Sequence, residues 1–366
     1  MNREINSTDG ENNEILLSIC VPTYNRYNLL KKHIHNLDEQ VKKLSNRDVK
    51  VEIIVSVNPS RDKSADFVIE YLDSPNFVVN VNESNIGGQA NIQKTLELST
   101  GKYVWITGDD DEIIKGTVEK VVNVLSSFND IGFIFINKAR LKGDSADESV
   151  KLIEPRLCKL NGGVADDGKY EIIKLFKKID LNILFSTSCV FERSSALKVI
   201  DYNINNNIPA KNNISHQLSA IFASCVDKKV YIIPETCILS GAAISWSDSV
   251  YTIHVDSVLN ALLLLENFGY THEEVIDLIN YRMSHEAYTV WFEMIIHFFK
   301  EPKVVMRDYI RLLKLIPLTT LIVTLTLPIG ALGLYIRSRV RRQRRIKALK
   351  LFKLENSIPV EIQRRL

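Results

Sequence analysis

Four acidic side chains stand in succession in Trp105-Ile106-Thr107-Gly108-Asp109-Asp110-Asp111-Glu112, directly behind an apolar stretch. Aspartates held this close oppose one another's ionisation. A divalent cation removes that repulsion, and hard carboxylate oxygens suit Mg²⁺ or Mn²⁺, above all where a phosphate supplies further ligands. The same residues also satisfy a plainer description. Asp111 and Glu112 precede a helical pattern, and acids there cap a helix and complement its dipole.

The surrounding elements must place that run. Leu16 to Val21 is a short apolar run ended by Pro22 and reads as a buried strand; Val49 to Val57 and Phe77 to Val81 read as two more, and Lys102 to Thr107 as a fourth. Asn28 to Leu44, Asp62 to Leu72, Gly88 to Leu98 and Gly116 to Leu125 carry helical spacing between and after them. Strands alternating with helices at short spacing predict an α/β fold with a mostly parallel sheet covered on both faces. Ligands of such sheets sit beyond the carboxyl ends of the strands. Further on, strands are predicted over Ile131 to Asn137, Thr187 to Phe191 and Lys229 to Ile233. Helices are predicted over Tyr170 to Lys177, Ser194 to Ile200 and Glu273 to Phe299. Gly143 to Lys169 is polar and reads as a loop, as do residues 203–213, with six asparagines and a proline.

Three residues of the second half could assist chemistry. His216, ahead of an apolar helix, has a suitable pKa for a general base, or is a helix-start histidine that only hydrogen-bonds. Asp180 is the weaker candidate for the same role. Trp246 could stack on the apolar face of a ligand ring or fill a core. The remaining histidines, His33, His35, His254, His272, His285 and His297, form no metal-ligand spacing and read as structural or exposed. The five cysteines show no CxxC pair and have apolar flanks, which fits reduced core thiols in a cytosolic protein.

Four motifs occur in order: Val21-Pro22-Thr23-Tyr24-Asn25-Arg26, Ser56-Val57-Asn58-Pro59-Ser60-Arg61-Asp62, Asn82-Glu83-Ser84-Asn85-Ile86-Gly87-Gly88 and the acidic run. Together they resemble the nucleotide-sugar-binding half of the family 2 glycosyltransferases, closely over residues 15–125. The Gly108-Asp109-Asp110-Asp111 form is most similar to the abequosyltransferase-like branch of bacterial surface-polysaccharide enzymes. The resemblance implies a GT-A, Rossmann-like nucleotide-sugar-binding domain and an inverting, metal-dependent sugar transfer. It implies that Pro22, Thr23, Tyr24, Asn25 and Arg26 line the base and ribose, and that Asn85 and Gly87 shape a closing loop. It places Asp109 toward the ribose and Asp110 on the metal, with Asp111 next. Two of the motifs depart from the pattern. Val57 and Asn58 stand where an acid usually meets the base, which leaves that contact to Asn58, and Gly108 stands where the motif usually begins with Asp. These departures motivate the alternative of a non-catalytic sugar-nucleotide-binding scaffold. A nucleotidyltransferase would carry a glycine-rich phosphate loop, and Pro22 to Arg26 has none.

The chain has 366 residues and a net charge of only +2, but the balance is uneven. Residues 337–366 hold eleven Lys/Arg against two Asp/Glu, whereas residues 1–336 carry a net −7. Before the basic tail, Leu315 to Ile336 is 22 residues without a charge, broken by Pro317, Pro328, Gly330 and Gly333. That length can cross a bilayer. Because a single span would separate body and tail, a re-entrant or in-plane segment is the expected form. The tail is expected to bind anionic lipid rather than nucleic acid. A buried helical hairpin in an oligomer is the other use of such a segment. The expected organisation is a disordered tail over 1–14 and a catalytic domain over 15–245, with a donor half 15–125 and an acceptor half 126–245. A helical extension over 246–313 and a membrane-docking end over 314–366 follow. The implied partners are a nucleotide-sugar donor and a lipid-linked saccharide acceptor at the cytoplasmic face of a bacterial membrane.

Overall fold

The computed structural model describes residues 14–45, 47–141, 150–151, 160–208, 216–240, 256–285, 294, 298 and 300–315. Its first half alternates β1 (Ile15–Thr23), α1 (Tyr27–Lys42), β2 (Lys50–Val57), α2 (Ser64–Ile69), β3 (Phe77–Val81), α3 (Gly88–Leu98) and β4 (Tyr103–Ile106). A two-residue strand, β5 (Glu112–Ile113), follows the acidic turn and leads to α4 (Thr117–Ser127). Next come β6 (Ile131–Leu141), β7 (Val150–Lys151), β8 (Gly163–Ala165), α5 (Gly168–Ile179), β9 (Cys189–Glu192), α6 (Arg193–Asn205), α7 (His216–Ser224) and β10 (Lys229–Ser240). The helices α8 (Val258–Leu263), α9 (His272–His285) and α10 (Pro302–Leu315) complete the described elements.

Ten strands form one sheet in the order β3-β2-β1-β4-β9-β6-β10-β5, with β7 on β6 and β8 on β10. Strand periodicity sorts its side chains. Leu17, Ile19 and Val21 of β1 enter the core under α1, α2 and α4, while Cys20 faces the opposite core. On β4, Tyr103 and Trp105 go to the first core and Val104 and Ile106 to the second. The second core is the larger and is closed by α3 and the helices from α5 onward. Four of the cysteines are buried free thiols; Cys158 lies outside the described residues.

The mostly parallel sheet is interrupted at one place. The segment β3-β2-β1-β4 is parallel and so is the β6-β10 pair, but β9 inserts antiparallel to both β4 and β6. Side-chain periodicity fixes which face a residue takes and is silent on strand direction. β10 runs past Pro234 to Ser240 rather than stopping at Ile233, with its register shifting between Ile233 and Ile238. A proline cannot donate to a ladder, so the strand absorbs it at an irregularity. The polar stretch 143–169, expected as a loop, contains β8 and the start of α5, and α6 extends into the asparagine-rich segment as far as Asn205.

Candidate functional site

Because β1 pairs in parallel with β2 and β4, the carboxyl ends of all three lie side by side. The polar residues at those ends therefore converge: Thr23 closing β1 and Arg26 beyond it, Asn58 after β2, and the acidic turn after β4. Asp109 is buried; the Thr23 hydroxyl donates to its Oδ2 at 2.6 Å and Arg26 Nη1 to its Oδ1 at 2.8 Å. The same guanidinium nitrogen lies 3.2 Å from Asp110 Oδ2. One cation thus faces two carboxylates. Burial raises the pKa of both aspartates, with Arg26 opposing in each case and Asp109 adding to the rise at Asp110. Asp110 keeps a 17% exposed side chain, against 6% for Asp109, so it is the more accessible of the two.

Asp111 turns inward. It is 7% exposed, and the Thr187 hydroxyl donates to its Oδ2. Thr187 in turn accepts from the Gly108 N–H at 3.0 Å, and its carbonyl accepts from Trp105 Nε1 at 2.8 Å. From the other side, the buried ring of His33 on α1 reaches the turn, with Nδ1 2.9 Å from the Asp111 carbonyl oxygen and Nε2 2.9 Å from Thr107 Oγ1. Burial pushes the His33 imidazole down to about 4, against the opposing pull of its bond to Asp111. Among the described residues no three His, Cys, Asp or Glu side chains gather as a ready metal cage. One or two hard carboxylates, crowded and raised in pKa, are the donor set of a cation that keeps waters and completes its shell from a phosphate. The residues fit Mg²⁺ or Mn²⁺ in that manner.

An asparagine network shapes the neighbouring loop. Asn91 of α3 donates to the carbonyls of Thr23 at 3.3 Å and Ser56 at 2.9 Å, and accepts from Ser56 Oγ and Asn82 Nδ2. Asn58 Oδ1 accepts from Asn82 Nδ2 at 3.1 Å and from the Ile86 N–H at 3.3 Å. Asn85 Oδ1 accepts from the Gly87 N–H, and Gly87 adopts φ 85°, a left-handed turn that lets the chain enter α3. Asn25 also takes a positive φ of 53°, held by its Oδ1 accepting from the Arg61 N–H at 2.7 Å and by Ser60.

The structure brings together Pro22, Thr23, Tyr24, Asn25, Arg26, Asn58, Asn85, Gly87, Asp109, Asp110 and Asp111 on this one edge. Val57 lies in the core, and the Asn58 amide is committed to the 82–87 loop. His216 begins α7, Asp180 begins a short 3₁₀ segment after α5, and Trp246 lies outside the described residues. Sequence reasoning missed His33, Thr107, Asn91 and Thr187. For His33 a signal existed: it sits on the buried stripe of α1 beside Leu30, Ile34 and Leu37, and a polar ring there requires partners.

Residues 18–199 match the family model described as glycosyl transferase family 2. Among curated proteins, the abequosyltransferase RfbV of Salmonella typhimurium is 30% identical over 119 residues, which are 32% of this chain and 34% of that protein. The GalNAc(5)-diNAcBac-PP-undecaprenol beta-1,3-glucosyltransferase of Campylobacter jejuni is 33% identical over 111 residues, 29% of this chain and 33% of that one. The chain thus covers about a third of the length of these two relatives. Among solved structures, S. aureus TarS 1–349 in complex with UDP-GlcNAc superposes with a TM-score of 0.53 at 14% identity, covering 76% of this chain and 80% of that one. The mannosyltransferase PcManGT of Pyrobaculum calidifontis, in complex with GDP-Man and Mn²⁺, gives 0.51 at 13% identity, covering 93% and 87%. These structures share the GT-A fold with this chain.

Proposed function

Residues 18–199 belong to glycosyl transferase family 2, and on that premise we propose that the chain is a glycosyltransferase of bacterial surface-polysaccharide synthesis. It transfers a sugar from a nucleotide-sugar donor to a lipid-linked oligosaccharide, with inversion. One observation carries the reading: a buried Asp109 and a more open Asp110, bracketed by Arg26 and Thr23, stand at the shared carboxyl edge of three parallel strands. The relatives support the substrate classes, one by acting on a polyprenyl diphosphate-linked glycan and others by holding UDP-GlcNAc or GDP-Man.

In this reading Asp109, fixed by Thr23 and Arg26, takes the donor ribose. Asp110 holds Mg²⁺ or Mn²⁺; Asp111, expected next to it on the metal, is turned inward to Thr187 and takes no part in holding the cation. When bound, the cation supplies positive charge against the diphosphate that departs with the nucleotide. Arg26 adds a fixed cation at the same place, and the 82–88 loop closes over the nucleotide through Asn85 and Gly87. His216 is the proposed base that takes the acceptor hydroxyl proton, ahead of Asp180, and Trp246 is the proposed platform for the acceptor sugar. Among the described residues no helix is long and apolar enough to cross a membrane. The proposed attachment lies in residues 315–366, which beyond Leu315 fall outside the described residues, and whose uncharged stretch and basic tail suit an anionic lipid surface.

Transfer and hydrolysis of a panel of UDP-, GDP-, CDP- and dTDP-sugars with Mn²⁺ tests the function. Asp110→Ala activity equal to wild type sinks the metal assignment. Nucleotide-sugar binding with no turnover of any donor favours the scaffold reading, which the departures at Val57 and Gly108 motivate. Removing residues 316–366 should release the protein from the membrane fraction; continued sedimentation with membranes refutes lipid docking through that segment.

A further inference from the structure

The aspartate turn is gripped from two sides by residues that have no place in the donor-binding motifs. One side is a polar rail along the inner face of α1. His33, Asn36 and Gln40 follow at helical spacing of three and four residues, which puts them on one face. All three bond to the segment leaving the turn. His33 Nδ1 meets the Asp111 carbonyl, Asn36 Nδ2 donates to the Ile113 carbonyl at 2.6 Å, and Gln40 Nε2 donates to the same carbonyl at 3.3 Å. Gln40 Oε1 accepts from the Gly116 and Val118 N–H groups, which extends the rail to the start of α4. The other side is Thr187, which accepts from the Gly108 N–H and donates to the Asp111 carboxylate.

The bond to Asp111 places a proton on the His33 ring. A carbonyl oxygen only accepts, so the contact with Asp111 requires the proton on Nδ1. Nε2 lies 2.9 Å from Thr107 Oγ1, a hydroxyl that can donate to it or accept from it. The ring therefore spans both ends of the turn, residue 107 at its entry and residue 111 at its exit. With Asp111 turned into this grip, the carboxylate left facing outward is Asp110.

We infer that His33, with its Nδ1 proton directed at the Asp111 carbonyl, and Thr187 are positioning residues that set the aspartate turn, with Asp111 as its inward anchor and Asp110 as the carboxylate it presents. The inference rests on the proposed role of Asp110 in the transfer reaction. Its chemistry is that of outer-shell support, in which a group that never meets substrate orients one that does.

The test has one arm independent of activity. Long-range ¹H–¹⁵N correlation on ¹⁵N-histidine protein, with His33→Gln identifying the resonance, should show His33 protonated on Nδ1; a ring protonated on Nε2 alone overturns the inference. Hydrogen exchange over residues 107–113 should accelerate in His33→Leu and in Thr187→Val while β1 and β2 keep their protection. Thr107→Val, nearly isosteric, serves where His33→Leu does not fold. In the activity arm, His33→Leu and Thr187→Val should each lower kcat about 10- to 100-fold and raise the half-saturating Mn²⁺ concentration. KM for the donor should move little, and His33→Asn, which keeps a donor toward Asp111, should recover most of the loss. Folded variants with wild-type kcat, Mn²⁺ dependence and exchange refute the positioning role. Full activity in Asp110→Ala refutes the functional reading instead, and leaves the protonation and exchange results to decide the clamp.

Discussion

The two ends of the sheet each bury a carboxylate, and they treat it differently. At the amino edge, Glu52 of β2 is 5% exposed, and its Oε1 accepts from Ser18 Oγ at 2.6 Å, the Thr100 N–H at 2.7 Å, Thr100 Oγ1 at 3.0 Å and the Gly101 N–H at 3.3 Å. Four donors converge on one oxygen, and Gly101 is required there because a Cβ would stand 2.6 Å from Ser18 Oγ. At the carboxyl edge, Asp109 and Asp110 share one guanidinium and both are raised in pKa. The first arrangement is complete within the protein. The second sets two carboxylates against one guanidinium, a charge imbalance that the proposed cation would offset.

The sharpest way to break this contrast is at Asp110. Asp110→Ala should lower transfer by about 10²–10³-fold while the fold persists, since it removes stabilisation of charge that develops only in the reaction. Steady-state kinetics beside a thermal melt reads both. A loss of stability without loss of turnover per folded molecule would make Asp110 a second Glu52.

How far the sequence showed the two edges differs by kind of signal. The strands β1 to β4 were legible because each is a β-branched run closed by a turn, and the acidic run was legible because four charges in succession are rare behind a buried strand. The antiparallel insertion of β9 was not, since strand direction depends on partners far along the chain. Neither was Thr187, which meets Asp111 from 76 residues away with no local motif to mark it. His33 lay in plain view on α1, but helical spacing alone presents it as one more inward-facing residue.

His33 gives the next effect in size. Its folded pKa of about 4 lies below the ordinary histidine value of 6.5, so folding favours the neutral ring. The stability this contributes is complete above pH 6.5 and is lost as pH falls toward 4, by about 3 kcal/mol in all. The raised aspartates act with the opposite sign, losing their contribution as pH rises. Denaturant melts of wild type and His33→Asn across pH 4–7 isolate the histidine, because its slope should vanish in the variant while the aspartate slope remains. A shared slope would place the ring outside this balance.

Glu52→Ala should destabilise by about 1–3 kcal/mol, because the Ser18, Thr100 and Gly101 donors are left buried without an acceptor. Turnover per folded molecule should not change. Activity falling more steeply than the folded fraction would show that the amino edge communicates with the site, and the contrast between the edges would fail.

The smallest effect is expected where a charge sits beside the acidic run without belonging to it. Lys32 Nζ is 2.9 Å from Glu112 Oε2, but the lysine side chain is 72% exposed. Water and salt screen such a pair, and holding the long side chain costs entropy, so Lys32→Ala should change stability by about 0.5 kcal/mol or less. Closeness in sequence to Asp110 would give this ion pair a part in the site; solvent exposure takes it away. Turnover at low and at physiological salt distinguishes the two. A loss in the variant comparable to that of Asp110→Ala would extend the functional charge cluster to Glu112, whereas unchanged kinetics at both salt levels would confine it to the carboxylates that Arg26, Thr23 and the α1 rail enclose.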